Sequence, residues 1–261
     1  MLRVAYTALS SVELERLVRA LPHAEFIHAP TLSHAQRLAA RGDISTLVVT
    51  EDVLRQRGYA RLSVLKAAHP EVATIAYLGA NADLWQDAHG LGRAQCDAVV
   101  IRGTEDRPER LREVLSLAST RSVANAVHSA SAPAPPSVTP VTLERALRTI
   151  AGLRSSRALA KALGLTLAAL REELRHVTLF PPKPLLAWLR LLTASRRLGD
   201  TNESVERIGL TVGYASGPAF YNACHRLVGA TPQEIRDGGG LRFAHERYRT
   251  ALVHWRSSRA A

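Results

Sequence analysis

The first half of the chain is constrained most by an alternation. Short runs rich in β-branched and apolar residues lie at Leu2 to Tyr6, Glu25 to His28, Ser45 to Thr50, Thr74 to Leu78 and Ala98 to Arg102. Between them the apolar residues recur with helical spacing, predicting helices over Ser11 to Leu21, Leu32 to Ala40, Ala60 to His69 and Ala82 to Ala94, and a last one over Pro108 to Ala118. Strands that alternate with helices of about 10 to 15 residues imply a parallel sheet covered on both faces. Residues 1–121 are therefore expected to form an α/β domain.

The 261 residues are enough for two domains, each with its own core. From Ser119 to Thr142 the chain is rich in Ala, Ser and Pro and nearly free of charge, which reads as a semi-extended linker placed at 122–141. Beyond it no segment reads as a strand. An all-α domain is expected over 142–237, and a basic amphipathic extension over 238–261.

Charge separates the two halves. Up to Pro140, 15 Lys and Arg stand against 14 Asp and Glu; from Val141 onward the count is 19 against 9. A neutral half joined to a strongly basic one is the electrostatic footprint of a polyanion-binding domain, because neutralised phosphates release counterions.

Several function classes lack support. No apolar run approaches the roughly 18 to 20 residues that span a bilayer. Acidic residues appear too early for a secretory signal, so a cytoplasmic location with no membrane partner is expected. The two cysteines, Cys96 and Cys224, lack the spacing of a redox or zinc site and read as buried small apolar side chains. No G-x-G-x-x-G or phosphate-binding loop follows a strand, and Leu91-Gly92-Arg93 is too little to cradle phosphate. No cofactor, metal site, catalytic group or enzymatic activity is expected.

The most specific stretch is Ser204 to Arg236. Ser204 suits a helix N-cap, Val205 and Ile208 face inward, and Gly213 permits a tight turn. Ser216 caps the next helix, whose first turn tolerates Pro218, while Phe220 and Cys224, four apart, point to a core. Gly229, Thr231 and Pro232 close that helix and cap another. This set resembles the second helix-turn-helix motif of the AraC/XylS family of transcription regulators. Upstream, Arg157 to Thr178 resembles the first motif: a helix through Leu159 and Leu163, a turn at Gly164-Leu165-Thr166, and a recognition helix from Leu167 to His176 with Leu170 and Leu174 inward. Pro182 to Leu198 is similar to the family's connecting helix, with Arg190, Leu191, Ala194 and Leu198 in place.

The resemblance implies an all-α double helix-turn-helix domain that sets two recognition helices into successive major-groove segments of double-stranded DNA. The DNA-contacting residues it implies are Thr166, Arg171, Glu172, Arg175, Ser216, Gly217, Tyr221, Asn222, His225 and Arg226. Asn222 is the best direct reader, since its amide can bond bidentately to adenine; Arg171, Arg175, Tyr221, His225 and Arg226 suit phosphates. Base reading is expected to be thin. Glu172 stands where the family commonly has Arg, and Ala168, Ala169, Gly217, Pro218 and Ala219 offer no hydrogen bonds. The terminal segment is expected to dock through Phe243, Tyr248, Leu252 and Trp255, leaving its last arginines near DNA.

The order of elements in residues 1–121 resembles the receiver domain of response regulators, a flavodoxin-like fold with its site at the carboxyl ends of the strands. The chemistry of such a site departs at every element. The first strand runs into Tyr6-Thr7-Ala8 with no carboxylate to hold magnesium. The phospho-acceptor position falls on Glu51, or on Thr50, or with a shifted register on Asp52. Gly79 replaces the switch hydroxyl and Arg102 the lysine. A pseudo-receiver is expected, and Glu51 paired with Arg102 would fix it in one state; the alternative is two solvated charges.

Two functions are therefore in view. One is a sequence-specific DNA-binding transcription regulator whose pseudo-receiver serves homodimerisation or a partner or signal, with RNA polymerase as a further expected contact. The other is a protein-interaction adaptor that keeps the fold with little or no sequence discrimination.

Overall fold

The computed structural model describes residues 1–55, 58–80 and 84–260, and the chain divides into two compact units, Met1–Ser122 and Val123–Ala261. The first unit contains β1 (Arg3–Tyr6), α1 (Ser11–Ala20), β2 (Glu25–His28), α2 (Leu32–Arg41), β3 (Thr46–Thr50), α3 (Glu51–Arg55), α4 (Gly58–Ala68), β4 (Ala73–Leu78), α5 (Leu84–Arg93) and β5 (Ala98–Ile101). The helix α6 (Pro108–Ala130) follows; its residues to Ser122 belong to this unit.

All five strands pair in parallel in the order β2-β1-β3-β4-β5, the flavodoxin-like order. Strands β3 and β4 are buried along their whole length. Because successive side chains point to opposite faces, one run feeds two cores. Ala5, Leu47, Val49, Ala76 and Leu78 pack with Leu32, Ala35, Leu62 and Leu65 on one face. On the other, Val4, Val48, Ile75, Tyr77 and Val100 pack with Leu17, Leu111, Val114 and Ala118. Every strand end lies within one residue of its expected position.

Two local features differ from expectation. A short helix, α3, starts directly at Glu51, so Glu51 and Asp52 form its first turn rather than prolonging the strand. The helix expected from Ala82 is described from Leu84; Ala82 lies outside the described residues.

The semi-extended linker expected at 122–141 is corrected. Helix α6 continues to Ala130, and Val123, Ala124, Val127 and Val138 are buried in the core of the second unit. Residues Ser122 to Val127 are buried one after another, more than a full helical turn, which leaves no place there for an unpaired charge. Alanine is the strongest helix former, and Val123 and Val127, four apart, share a helical face.

The second unit continues with α7 (Pro140–Arg148), a 3₁₀ turn at Ile150–Gly152, α8 (Ser156–Ala162), α9 (Leu167–His176), α10 (Pro182–Asp200), α11 (Val205–Thr211), α12 (Gly217–Val228), α13 (Pro232–Asp237) and α14 (Leu241–Ala260). Helix α10 is central. Leu185, Leu186, Trp188, Leu189, Leu191, Leu192, Ala194 and Leu198 are all buried, and it packs against every helix from α8 to α14. A helix that is apolar on most sides has to be surrounded.

The terminal helix α14 belongs to this core: Leu241, Ala244, Tyr248 and Leu252 are buried, and Phe243 and Trp255 pack against them. Tyr248 stacks edge-on to Trp188 with ring centroids 5.3 Å apart, and its hydroxyl meets Ser131 Oγ at 3.2 Å. Trp255 Nε1 donates to the Leu179 carbonyl at 3.0 Å.

Candidate nucleic-acid interface

Helices α9 and α12 are built the same way. Thr166 caps α9 by accepting the Ala169 N–H at 3.1 Å, and Ser216 caps α12 by accepting the Ala219 N–H at 3.3 Å. These hydroxyls satisfy helix-end donors that would otherwise be orphaned. The turn before α12 passes through Gly213 at φ 92°, a left-handed conformation that any side chain would strain. A Cβ on Gly213 would also stand 3.0 Å from the Ala151 carbonyl oxygen.

Both helices are two-faced. In α9, Leu170 and Leu174 are buried, and Ala168, Arg171, Glu172, Arg175 and His176 are exposed. In α12, Phe220, Ala223, Cys224 and Val228 are buried, and Pro218, Tyr221, Asn222, His225 and Arg226 are exposed. The i, i+3, i+4 spacing produces both faces at once. Of the residues expected at DNA, only Gly217 lies inside; it is buried beneath Glu206, whose Cγ would be 3.5 Å from a Cβ there.

The charges of α9 are internally compensated. Glu172 accepts from Arg175 Nε at 3.1 Å and Nη2 at 2.5 Å, and His176 Nε2 lies 3.0 Å away. The bond from Arg175, with the charges of Arg175 and His176, holds the Glu172 carboxyl below its ordinary value and raises that of Arg175. Its neighbour Glu173 turns elsewhere and accepts from Ser137, both from the hydroxyl and from the backbone N–H at 3.3 Å. The sequence did not foresee this tie, because its partner lies in the stretch read as linker.

The last arginines make local contacts. Arg256 donates to the Ser131 and Ala132 carbonyls at 3.1 Å, and Arg259 stands over the Trp255 ring at 4.6 Å. Cys224 is fully buried, which pushes its thiol up to about 12. Cys96, expected to be buried as well, is partly exposed; its thiol donates to the Thr74 and Ala98 carbonyls.

In the first unit the strand ends bring Thr7, Thr50, Glu51, Gly79 and Arg102 to the carboxyl edge of the sheet. Thr7 Oγ1 accepts the Thr50 N–H at 3.0 Å and lies 3.3 Å from Thr50 Oγ1. Neither alternative for Glu51 and Arg102 is met: they do not pair with each other, and neither is left as a lone solvated charge. Glu51 accepts the backbone N–H of Gly79 and lies 4.0 Å from Arg55, whereas Arg102 donates to Glu13. The reason is local: Glu13, held at the start of α1 in a capping box with Ser10, reaches Arg102, while the turn into α3 directs Glu51 toward β4. Among the described residues no group of three or more His, Cys, Asp or Glu is placed to hold a metal ion, and no helix is long and apolar enough to cross a membrane.

Comparison with known proteins agrees with this geometry. Residues 159–238, from within α8 to the end of α13, match the family model described as a helix-turn-helix domain, of the AraC type that the two motifs resemble. A 57-residue stretch is 42% identical to the HTH-type transcriptional regulator ArgR of Pseudomonas aeruginosa, covering 21% of this chain and 17% of that protein. No solved structure matches.

Proposed function

We propose that the protein is a sequence-specific DNA-binding transcription regulator of the AraC type, with α9 and α12 entering successive major-groove segments of one duplex. The observation that carries this reading is the pair of capped helices whose exposed faces gather Arg171, Arg175 and His176 on α9 and Tyr221, Asn222, His225 and Arg226 on α12. Both helices are packed on α10, the arrangement expected to hold two recognition helices at a fixed spacing. Asn222 is the adenine reader; Arg171, His225 and Arg226 serve phosphates.

The first unit is read as a degenerate receiver, for homodimerisation or for a partner or signal. In support, Glu51 and Arg102 each have another partner, and β1 ends without a carboxylate. A contact with RNA polymerase belongs to the same reading.

The test is duplex affinity of the full chain for genomic fragments and for random DNA, across salt. A steep salt dependence is expected, with tighter binding to a subset of fragments. Arg171→Ala is expected to weaken all duplexes alike, whereas Asn222→Ala is expected to relax discrimination at one position. Equal affinity for every duplex would favour the adaptor reading, which the internal Glu172–Arg175 pair supports. No binding at low salt would defeat the DNA reading.

A further inference from the structure

The first turn of α12 is sparse. Gly217 has no side chain and Pro218 only a ring, and the result is an open concavity of 520 Å³ lined by Val205, Glu206, Gly217, Pro218, Tyr221 and Asn222. Two walls are apolar, Pro218 and the ring of Tyr221, which is 42% exposed. Three of the lining residues carry hydrogen-bonding side chains, Asn222 with its amide, Glu206 with its carboxylate and Tyr221 with its hydroxyl.

Glu206 stands apart from the other acidic residues of the helical unit. Glu144 pairs with Arg148, Asp200 with Arg196, Glu203 with Arg197 and Arg207, and Glu246 with Arg242. Glu172 and Glu173 are engaged as described, Glu234 accepts from Thr231, and Asp237 accepts from Gln233. Glu206 is exposed and has no hydrogen-bond or ion-pair partner among the described residues.

A bare carboxylate on a surface that meets phosphates is repelled, unless it is aimed at a donor on a base edge. In the major groove the donors are the N6 amine of adenine and the N4 amine of cytosine, and a carboxylate, being acceptor-only, suits the second. We infer that Glu206, which lies outside the recognition helix, is a specificity-determining residue that accepts from the N4 amine of a cytosine seated in this concavity, beside the base read by Asn222. The inference rests on the DNA-binding reading above and deepens it.

Selection of duplexes from a random pool by the full chain tests it, with Glu206→Gln and Glu206→Ala run in parallel. Glu206 also stands in the first turn of α11, where a carboxylate favours the helix end; a purely structural role would weaken binding to all sequences together. The expectation here is different. The native chain should select cytosine at one position, and its replacement by thymine should cost about tenfold in affinity. Glu206→Ala should lose that preference at that position alone while binding random duplex as tightly as before or more tightly, whereas Glu206→Gln, whose amide oxygen can still accept, should keep part of it. If the native chain selects a sequence and Glu206→Ala keeps the full cytosine preference, or loses affinity uniformly, the inference is overturned while the DNA-binding reading stands. If the native chain selects no sequence, both fail.

Discussion

Glu172 holds Arg175 in a two-point pair on the exposed face of α9, with Nε and Nη2 on its two carboxylate oxygens. One of the two exposed arginines of that helix is therefore already satisfied. Glu172→Ala is expected to free it. Affinity for random duplex should rise, and the slope of log affinity on log salt should steepen by about 0.9. Fluorescence anisotropy at several salt concentrations measures this, and an unchanged slope would show that Arg175 does not reach the backbone.

The two helices of the second motif touch at Gly209. A Cβ there would stand 2.9 Å from the Cβ of Phe220, closer than packed carbons tolerate, and Phe220 is fully buried. Gly209→Ala should force α11 and α12 apart, costing about 1–3 kcal/mol. Thermal unfolding followed by circular dichroism reads the cost, and a wild-type midpoint would be inconsistent with the close approach.

Tyr214 offers the opposite case. Its hydroxyl is buried without a hydrogen-bond partner among the described residues, and burial pushes its ionisation upward. Its ring lies 5.1 Å from that of Phe220. Tyr214→Phe keeps the ring contact and removes an unsatisfied polar group, so stability should hold or rise by up to about 1–3 kcal/mol. A lower urea midpoint would mean that the hydroxyl has a partner.

Beyond the matched helix-turn-helix segment, α14 is expected to be indispensable. Ending the chain at Asp237 removes Leu241, Ala244, Tyr248 and Leu252 from the core and should abolish cooperative unfolding of the helical unit. Tyr248→Phe is the milder test: it loses only the bond to Ser131, about 1 kcal/mol. Protease resistance of the shortened chain equal to that of the full one would refute the role.

In the sheet unit, Asp106 carries a pH dependence. Burial alone would raise its carboxyl, but the Gly103 N–H, the Tyr77 hydroxyl at 3.0 Å and Arg16 outweigh it and lower the value. A carboxyl depressed by folding contributes stability above its unfolded value, about 3.9, and that contribution is lost as pH falls through the folded value. Urea midpoints should therefore drop below about pH 4, and Asp106→Asn should flatten that part of the profile at a cost of about 1–3 kcal/mol at neutral pH. An unchanged acid limb in the variant would assign the transition to other groups.

Much of this molecule was legible in the chain because the determinants are local. Short β-branched and apolar runs placed the strands, the resemblance to a helix-turn-helix motif and its connector placed α9 and α10, and Ser204, Thr231 and Ser216 announced the helix starts they cap. The exposed faces of α9 and α12 follow from the helical spacing of their apolar residues.

What the sequence could not decide were pairings between groups distant in the chain. Glu51 and Arg102 had suitable charges, yet Glu13, 89 residues from Arg102 in sequence, takes the guanidinium. The uncharged stretch around Val123 and Val127 reads equally well as spacer or as buried helix, since low charge marks both; only the presence of a core to receive it distinguishes them. The concavity beside Asn222 likewise needs α11 and α12 brought together, because Glu206 and Tyr221 share no helix. Local periodicity determined the elements and their outward faces, and tertiary packing decided which charges are already satisfied and which remain open to a ligand.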